Sequence, residues 1–122
     1  MRTSIQSKLN EIDDIDSGEM ISDDIIEDRV TYFGYQINKN FRDSDFERNY
    51  TYRVSLTGYV TRRIKATENT TKIVDDSSDE IINKLKELNF KCSSEDVSID
   101  NNIKKIKITG YTIYNEINNK LI

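Results

Sequence analysis

Residues 50–63 read Tyr50-Thr-Tyr-Arg-Val-Ser-Leu-Thr-Gly-Tyr-Val-Thr-Arg-Arg63. Tyr50, Tyr52, Val54, Leu56 and Val60 share one parity, and Thr51, Arg53, Ser55, Thr57, Thr61 and Arg63 take the other. A period of two in residues that favour strands predicts a β-strand with one buried and one wet face. Upstream, Phe33, Tyr35 and Ile37 alternate in the same way. The stretch Arg29–Lys65 therefore predicts an antiparallel hairpin, with Asn38–Asn49 as its loop or projecting tip.

Working outward, Thr67–Asp76 is polar and turn-like. Ser77 with Glu80 three residues on makes a capping box, so a helix is predicted from Ser77 to Leu88. Ile81, Ile82, Leu85 and Leu88 form its apolar stripe, and Asn89-Phe90 supplies a left-handed stop followed by a hydrophobic contact. Phe90, Cys92, Val97 and Ile99 predict a ragged strand, Asp100-Asn101-Asn102 a turn, and Ile106, Ile108 and Gly110 a last strand up to Tyr114. At the other end, Ile5, Leu9 and Ile12 lie on one helical face with Thr3 or Ser4 as cap. The expected fold is α+β, in the order α-β-β-α-β-β, with a four-stranded, mainly antiparallel sheet and helices packed on one face. One domain is expected over residues 1–122, in which 1–28 form an acidic N-terminal helix and arm.

The chain has 122 residues, of which 35% are hydrophobic and 33% charged. The core is therefore thin, and a partner is expected to complete the burial. There is no His and a single Cys92, which removes imidazole acid–base chemistry, an internal disulfide and the usual zinc sites. No catalytic carboxylate pair stands out, so the expectation is a protein that is not an enzyme and uses neither cofactor nor metal. No run of about 18 apolar residues occurs and no apolar stretch follows a basic N-terminus, so neither a membrane span nor a signal peptide is expected. The net charge of −4 argues against nucleic acid as the main ligand.

Charge is divided unevenly. Residues 1–28 carry Arg2 and Lys8 against nine carboxylates, a local net of −7, while the rest of the chain is +3. Arg62, Arg63 and Lys65, with Lys104, Lys105 and Lys107, form two short basic clusters that the acidic segment of a neighbouring copy could meet. Val54-Ser-Leu-Thr-Gly-Tyr59 and Ile106-Lys-Ile-Thr-Gly-Tyr111 share one pattern. Glycine there is expected to relieve crowding by a ring on a neighbouring strand, and Tyr59 and Tyr111 to stand on the face opposite Leu56 and Ile108, available as interface residues. Asp43, Asp45 and Glu47 match the first positions of a calcium loop, but Arg48 stands where glycine is needed and Val54 where a bidentate Glu is needed. Cys92 is expected to be a small buried apolar residue.

The element order from Ser4 to Tyr114, a helix, a long hairpin (Arg29–Lys65), a helix (Ser77–Leu88) and a final hairpin (Phe90–Tyr114), resembles the small tail terminator, or tail-completion, proteins of long-tailed bacteriophages and prophages. The long acidic N-terminal stretch departs from that pattern. The resemblance implies a structural virion protein: a homo-hexameric ring that caps the tail tube, ends tail elongation and forms the interface to the head connector. It implies self, tail tube protein and head–tail connector protein as partners, and a place at the head-proximal end of the tail after assembly in the host cytoplasm. It also implies that the sheet serves subunit contacts and the hairpin loop tube contacts. The resemblance carries over no individual residue; the candidate subunit or tube interface residues, taken from this sequence, are Tyr59, Tyr111, Arg62, Arg63 and Lys65 on the sheet, and Asp43, Asp45 and Phe46 in the loop. The competing readings are a head–tail joining protein and a small cytosolic, host-directed binding module.

Overall fold

The computed structural model describes residues 2–19, 30–41, 51–100, 102–115 and 120–121. In chain order these form α1 (Arg2–Leu9), β1 (Ile15–Gly18), β2 (Thr31–Phe41), β3 (Thr51–Arg63), α2 (Thr70–Lys86), β4 (Lys91–Asp100), β5 (Ile103–Asn115) and β6 (Lys120–Leu121). The sheet order is β1-β2-β3-β5-β4, and β6 pairs with the end of β5 at Tyr114 and Asn115. Among the described residues only β1–β2 is parallel, and every other pairing is antiparallel. The α+β class, both hairpins and the mainly antiparallel sheet agree with the sequence reading.

The strand count and the element order do not. The chain runs α-β-β-β-α-β-β-β, because β1 and β6 add to the four strands expected. β1 has four residues, too few for alternation to register, and its Ser17-Gly18 reads as a break. β2 also continues past Ile37 through Phe41, which pairs with Tyr52, so the first residues assigned to the loop are strand.

The second helix begins seven residues before the predicted Ser77. Asn69 is its cap, with the side-chain oxygen accepting from the Lys72 amide at 3.2 Å. Ser77 and Ser78 instead lie buried in mid-helix, where Ser78 Oγ donates to the Val74 carbonyl at 2.9 Å. The buried stripe is Thr70, Val74, Ser77, Ser78, Ile81 and Leu85, spaced for one helical face. At the other end the chain leaves in a Schellman motif. Asn89 has φ 65°, the Phe90 amide donates to Leu85 O at 3.1 Å and the Asn89 amide to Lys86 O at 2.9 Å. Phe90 is then buried in the core, as the sequence predicted.

Both helices lie against one face of the sheet. Ile5 and Leu9 of α1, Ile12 after it, and Val74, Ile81 and Leu85 of α2 share a core with Phe33 and Tyr35 (β2), Val54, Leu56 and Val60 (β3), and Ile106 and Ile108 (β5). Each such side chain contributes about 1.5–3 kcal/mol when fully buried. The Phe33 and Tyr35 rings stack with centroids 5.5 Å apart. The Tyr35 hydroxyl is not wasted in this core: it donates to Gln6 Oε1 at 2.6 Å, and Gln6 Nε2 donates to Ser17 Oγ at 2.9 Å, tying α1 to β1 and β2.

Candidate functional site

The register sorts every described sheet residue onto the helix-covered face or the opposite one. Across β2, β3, β5 and β4, one row of the opposite face reads Gly34, Tyr59, Lys107, Glu95; the next Gln36, Thr57, Thr109, Ser93; the next Asn38, Ser55, Tyr111, Lys91. These are hydroxyls, amides, charges and two tyrosines, the composition expected of a face kept wet or reserved for a partner.

The two Thr-Gly-Tyr motifs pair with one another. Thr57 faces Thr109 across the β3–β5 seam, Leu56 faces Gly110, and Gly58 faces Ile108. The motifs are thus related by a local two-fold axis through the threonine pair, and Tyr59 and Tyr111 fall symmetrically on the open face, as predicted. Both glycines point to the core side. A Cβ on Gly58 would lie 2.6 Å from Phe33 Cε1 and 2.8 Å from the Gly34 carbonyl oxygen, and one on Gly110 would lie 2.9 Å from Cys92 Sγ. The Phe33 ring on the adjacent strand is therefore what glycine accommodates at Gly58, in agreement with the sequence reading.

The basic clusters turn out differently. The register sets Arg62 opposite Lys104, so the two clusters do meet, but these two residues share the parity of Val60 and Ile106 and point to the helix side. Arg62 donates from Nε to Glu68 Oε2 at 2.7 Å, from Nη2 to Glu68 Oε1 at 3.0 Å, and from Nη1 to Thr31 Oγ1 at 2.9 Å. Hydrogen bonding to the Glu68 carboxylate raises its pKa above the ordinary guanidinium value. Lys104 is buried as well, with Asp96 Oδ1 at 3.3 Å. Arg62 is therefore a structural clamp on the β3–α2 connection rather than the surface interface residue expected. Its parity with Val54, Leu56 and Val60 was the signal available in the sequence.

Arg63, Lys65 and Lys105 are each engaged in interactions of their own, and Lys107 has Glu95 Oε1 at 3.9 Å. Thr61, expected on the wet side, is buried and donates from Oγ1 to the Tyr32 carbonyl at 3.3 Å. Asp43, Asp45 and Phe46 lie outside the described residues.

A groove of about 390 Å³ opens around Tyr111. Arg53, Ser55 and Thr57 of β3, Thr109 and Tyr111 of β5, and Lys91 and Ser93 of β4 line it. The Arg53 guanidinium sits 4.7 Å from the centroid of the Tyr111 ring, a cation–π contact on one of the few large apolar groups exposed among the described residues. Arg53 and Lys91 were absent from the candidate residues, since neither belongs to a run of basic residues. Below the groove, Cys92 is half-buried, and burial pushes its thiol pKa up.

Among the described residues no three His, Cys, Asp or Glu side chains converge to hold a metal ion, and no helix is long and apolar enough to cross a membrane. No protein-family model matches the chain, and no curated protein matches it in sequence.

Proposed function

We propose that this chain is a structural virion protein of the tail terminator type: a ring of copies, six by the resemblance, that caps the tail tube, ends its elongation and offers its far side to the head–tail connector protein. Binding energy in such a protein goes into assembly, and no bond is made or broken. The observation that carries the reading is the one-sided sheet. Helices cover one face, and the other presents Tyr59, Tyr111, Arg53 and Lys91 on the central strands and at the sheet edge, where aromatic and arginine anchors suit a protein partner.

Native mass spectrometry of the purified chain over a concentration series, with and without tail tube protein, tests it. A closed ring, alone or on tube ends, is expected. A monomer or dimer indifferent to tube protein overturns the reading in favour of a joining protein or a host-directed binder.

A further inference from the structure

We propose that the groove around Tyr111 docks the acidic turn Asp13, Asp14 and Asp16 of a second copy of this chain. The inference rests on the ring reading for its biological setting, but its physical basis is separate. It lies in where unbalanced charge is left on the surface.

Most cations on and beside the sheet are already occupied. Arg62 has Glu68, Lys104 has Asp96, Lys107 has Glu95, and Arg63, Lys65 and Lys105 have interactions of their own. Arg53 and Lys91 have no carboxylate within ion-pair distance among the described residues, and both line the groove. They project from the open face on either side of Tyr111: Lys91 faces Tyr111 directly, and Arg53 lies one pleat along on the strand beyond. Ser55 and Thr57 add hydroxyl donors to the floor. Two cations, hydroxyls and an aromatic ring make a receptor for carboxylates carried on a peptide segment.

The complementary charge lies at the other side of the molecule. Asp13 and Asp14 occupy the turn after α1, and Asp16 lies on β1; all three are exposed and have no cation within ion-pair distance among the described residues. Glu11 beside them is already held by Lys84 at 3.0 Å. Asp13 and Asp14 precede Ile15, which pairs with Thr31 beside the Tyr32–Thr61 end of the sheet, whereas Arg53 lies eight residues along β3 from Thr61, about 27 Å at strand rise. One copy therefore cannot bring its own acidic turn into its own groove, while the next copy can. A contact between two different patches is heterologous, and such contacts close into rings when the rotation between copies permits.

Analytical ultracentrifugation of the full chain tests this with two charge-reversed variants, Arg53→Glu/Lys91→Glu and Asp13→Lys/Asp14→Lys, each checked for its fold by circular dichroism. Self-association of each variant alone is expected to weaken by about a hundredfold. Their equimolar mixture is expected to associate again, because the acidic groove of the first now fits the basic turn of the second. Unchanged association of either variant, a wild type that does not self-associate, or a mixture that stays monomeric overturns the proposal. Tube capping is scored in parallel on wild-type protein. Capping with unaltered variant association leaves the terminator reading intact and removes this interface, and mixture rescue without capping does the reverse.

Discussion

Arg62 and Glu68 form a two-point ion pair, Nε to Oε2 at 2.7 Å and Nη2 to Oε1 at 3.0 Å, that closes the connection between β3 and α2. The same carboxylate accepts from Thr70 Oγ1 at 3.1 Å, and Thr70 Oγ1 in turn accepts from the Lys65 amide at 3.2 Å. A turn with few apolar side chains is thereby fixed through charge-assisted hydrogen bonds.

Replacing Arg62 by Met takes the guanidinium from the partly buried Glu68 carboxylate and leaves its negative charge without that counter-ion, and is expected to cost about 3 kcal/mol of stability. Arg62→Met combined with Glu68→Leu should recover much of that loss. Urea unfolding of the three variants measures both. Because Arg62 holds the fold, Arg62→Glu is expected to lower assembly by unfolding the monomer; a full-strength melt with lost assembly would return Arg62 to the interface.

The two core-facing glycines should respond differently to alanine. Gly58→Ala brings a Cβ against both the Phe33 ring and the Gly34 carbonyl oxygen, so a loss of about 1–3 kcal/mol is expected, and Phe33→Leu should relieve only part of it. At Gly110 the nearest atom is Cys92 Sγ, so Cys92→Ala should relieve most of the cost of Gly110→Ala. Thermal melts of the two pairs decide; equal rescue at both sites contradicts the geometry.

The Tyr35 hydroxyl and Gln6 supply a third test. Tyr35→Phe removes the donor to Gln6 Oε1 and is expected to destabilise by about 1 kcal/mol. The loss should appear as increased amide exchange in α1 before the sheet, since the bond ties that helix to β2. Uniform exchange changes across the sheet would refute this.

The Lys84 ammonium, through its hydrogen bond and then through charge shared with Lys8, holds the Glu11 carboxyl below its ordinary value of 4.5. A depressed carboxyl pKa adds stability that is present above the unfolded value and lost as pH falls through the folded one. The pair is exposed, so the effect on a melt is small and salt-sensitive. An NMR titration of the Glu11 side chain reads it directly: Lys84→Met should move the midpoint up towards 4.5, and an unmoved midpoint counts against the pairing.

The parts legible in the sequence are those whose signal repeats. Alternation over Val54, Leu56 and Val60 was enough to give the face of β3, because a strand that buries one side imposes a period of two along most of its length, Thr61 at its end being the exception. The Asn89-Phe90 stop was readable because a left-handed residue and the apolar residue after it act locally. The start of α2 was not readable: serine at Ser77 and Ser78 occupies positions on the buried stripe, where small size lets the helix approach the sheet, and the same serines resemble a cap. β1 was missed because parallel pairing with Thr31–Gly34 is a tertiary event with no local mark. At the open face the tyrosines were visible as Thr-Gly-Tyr repeats, but Arg53 and Lys91 acquire significance only once β3, β5 and β4 lie side by side.

The threonine pair at the β3–β5 seam also lies on the strand pairing of greatest sequence separation among the described residues. Each hairpin closes over a short connection, whereas Thr57 and Thr109 are about fifty residues apart along the chain. Closing the seam therefore carries the larger entropic barrier, and the hairpins are available to form before it. A chain arrested at that stage would be two half-sheets, each exposing the inner edge of β3 or β5. In a crowded assembly those edges would pair with the complementary half of another copy as readily as with their own, making an exchanged dimer in place of a ring-competent subunit.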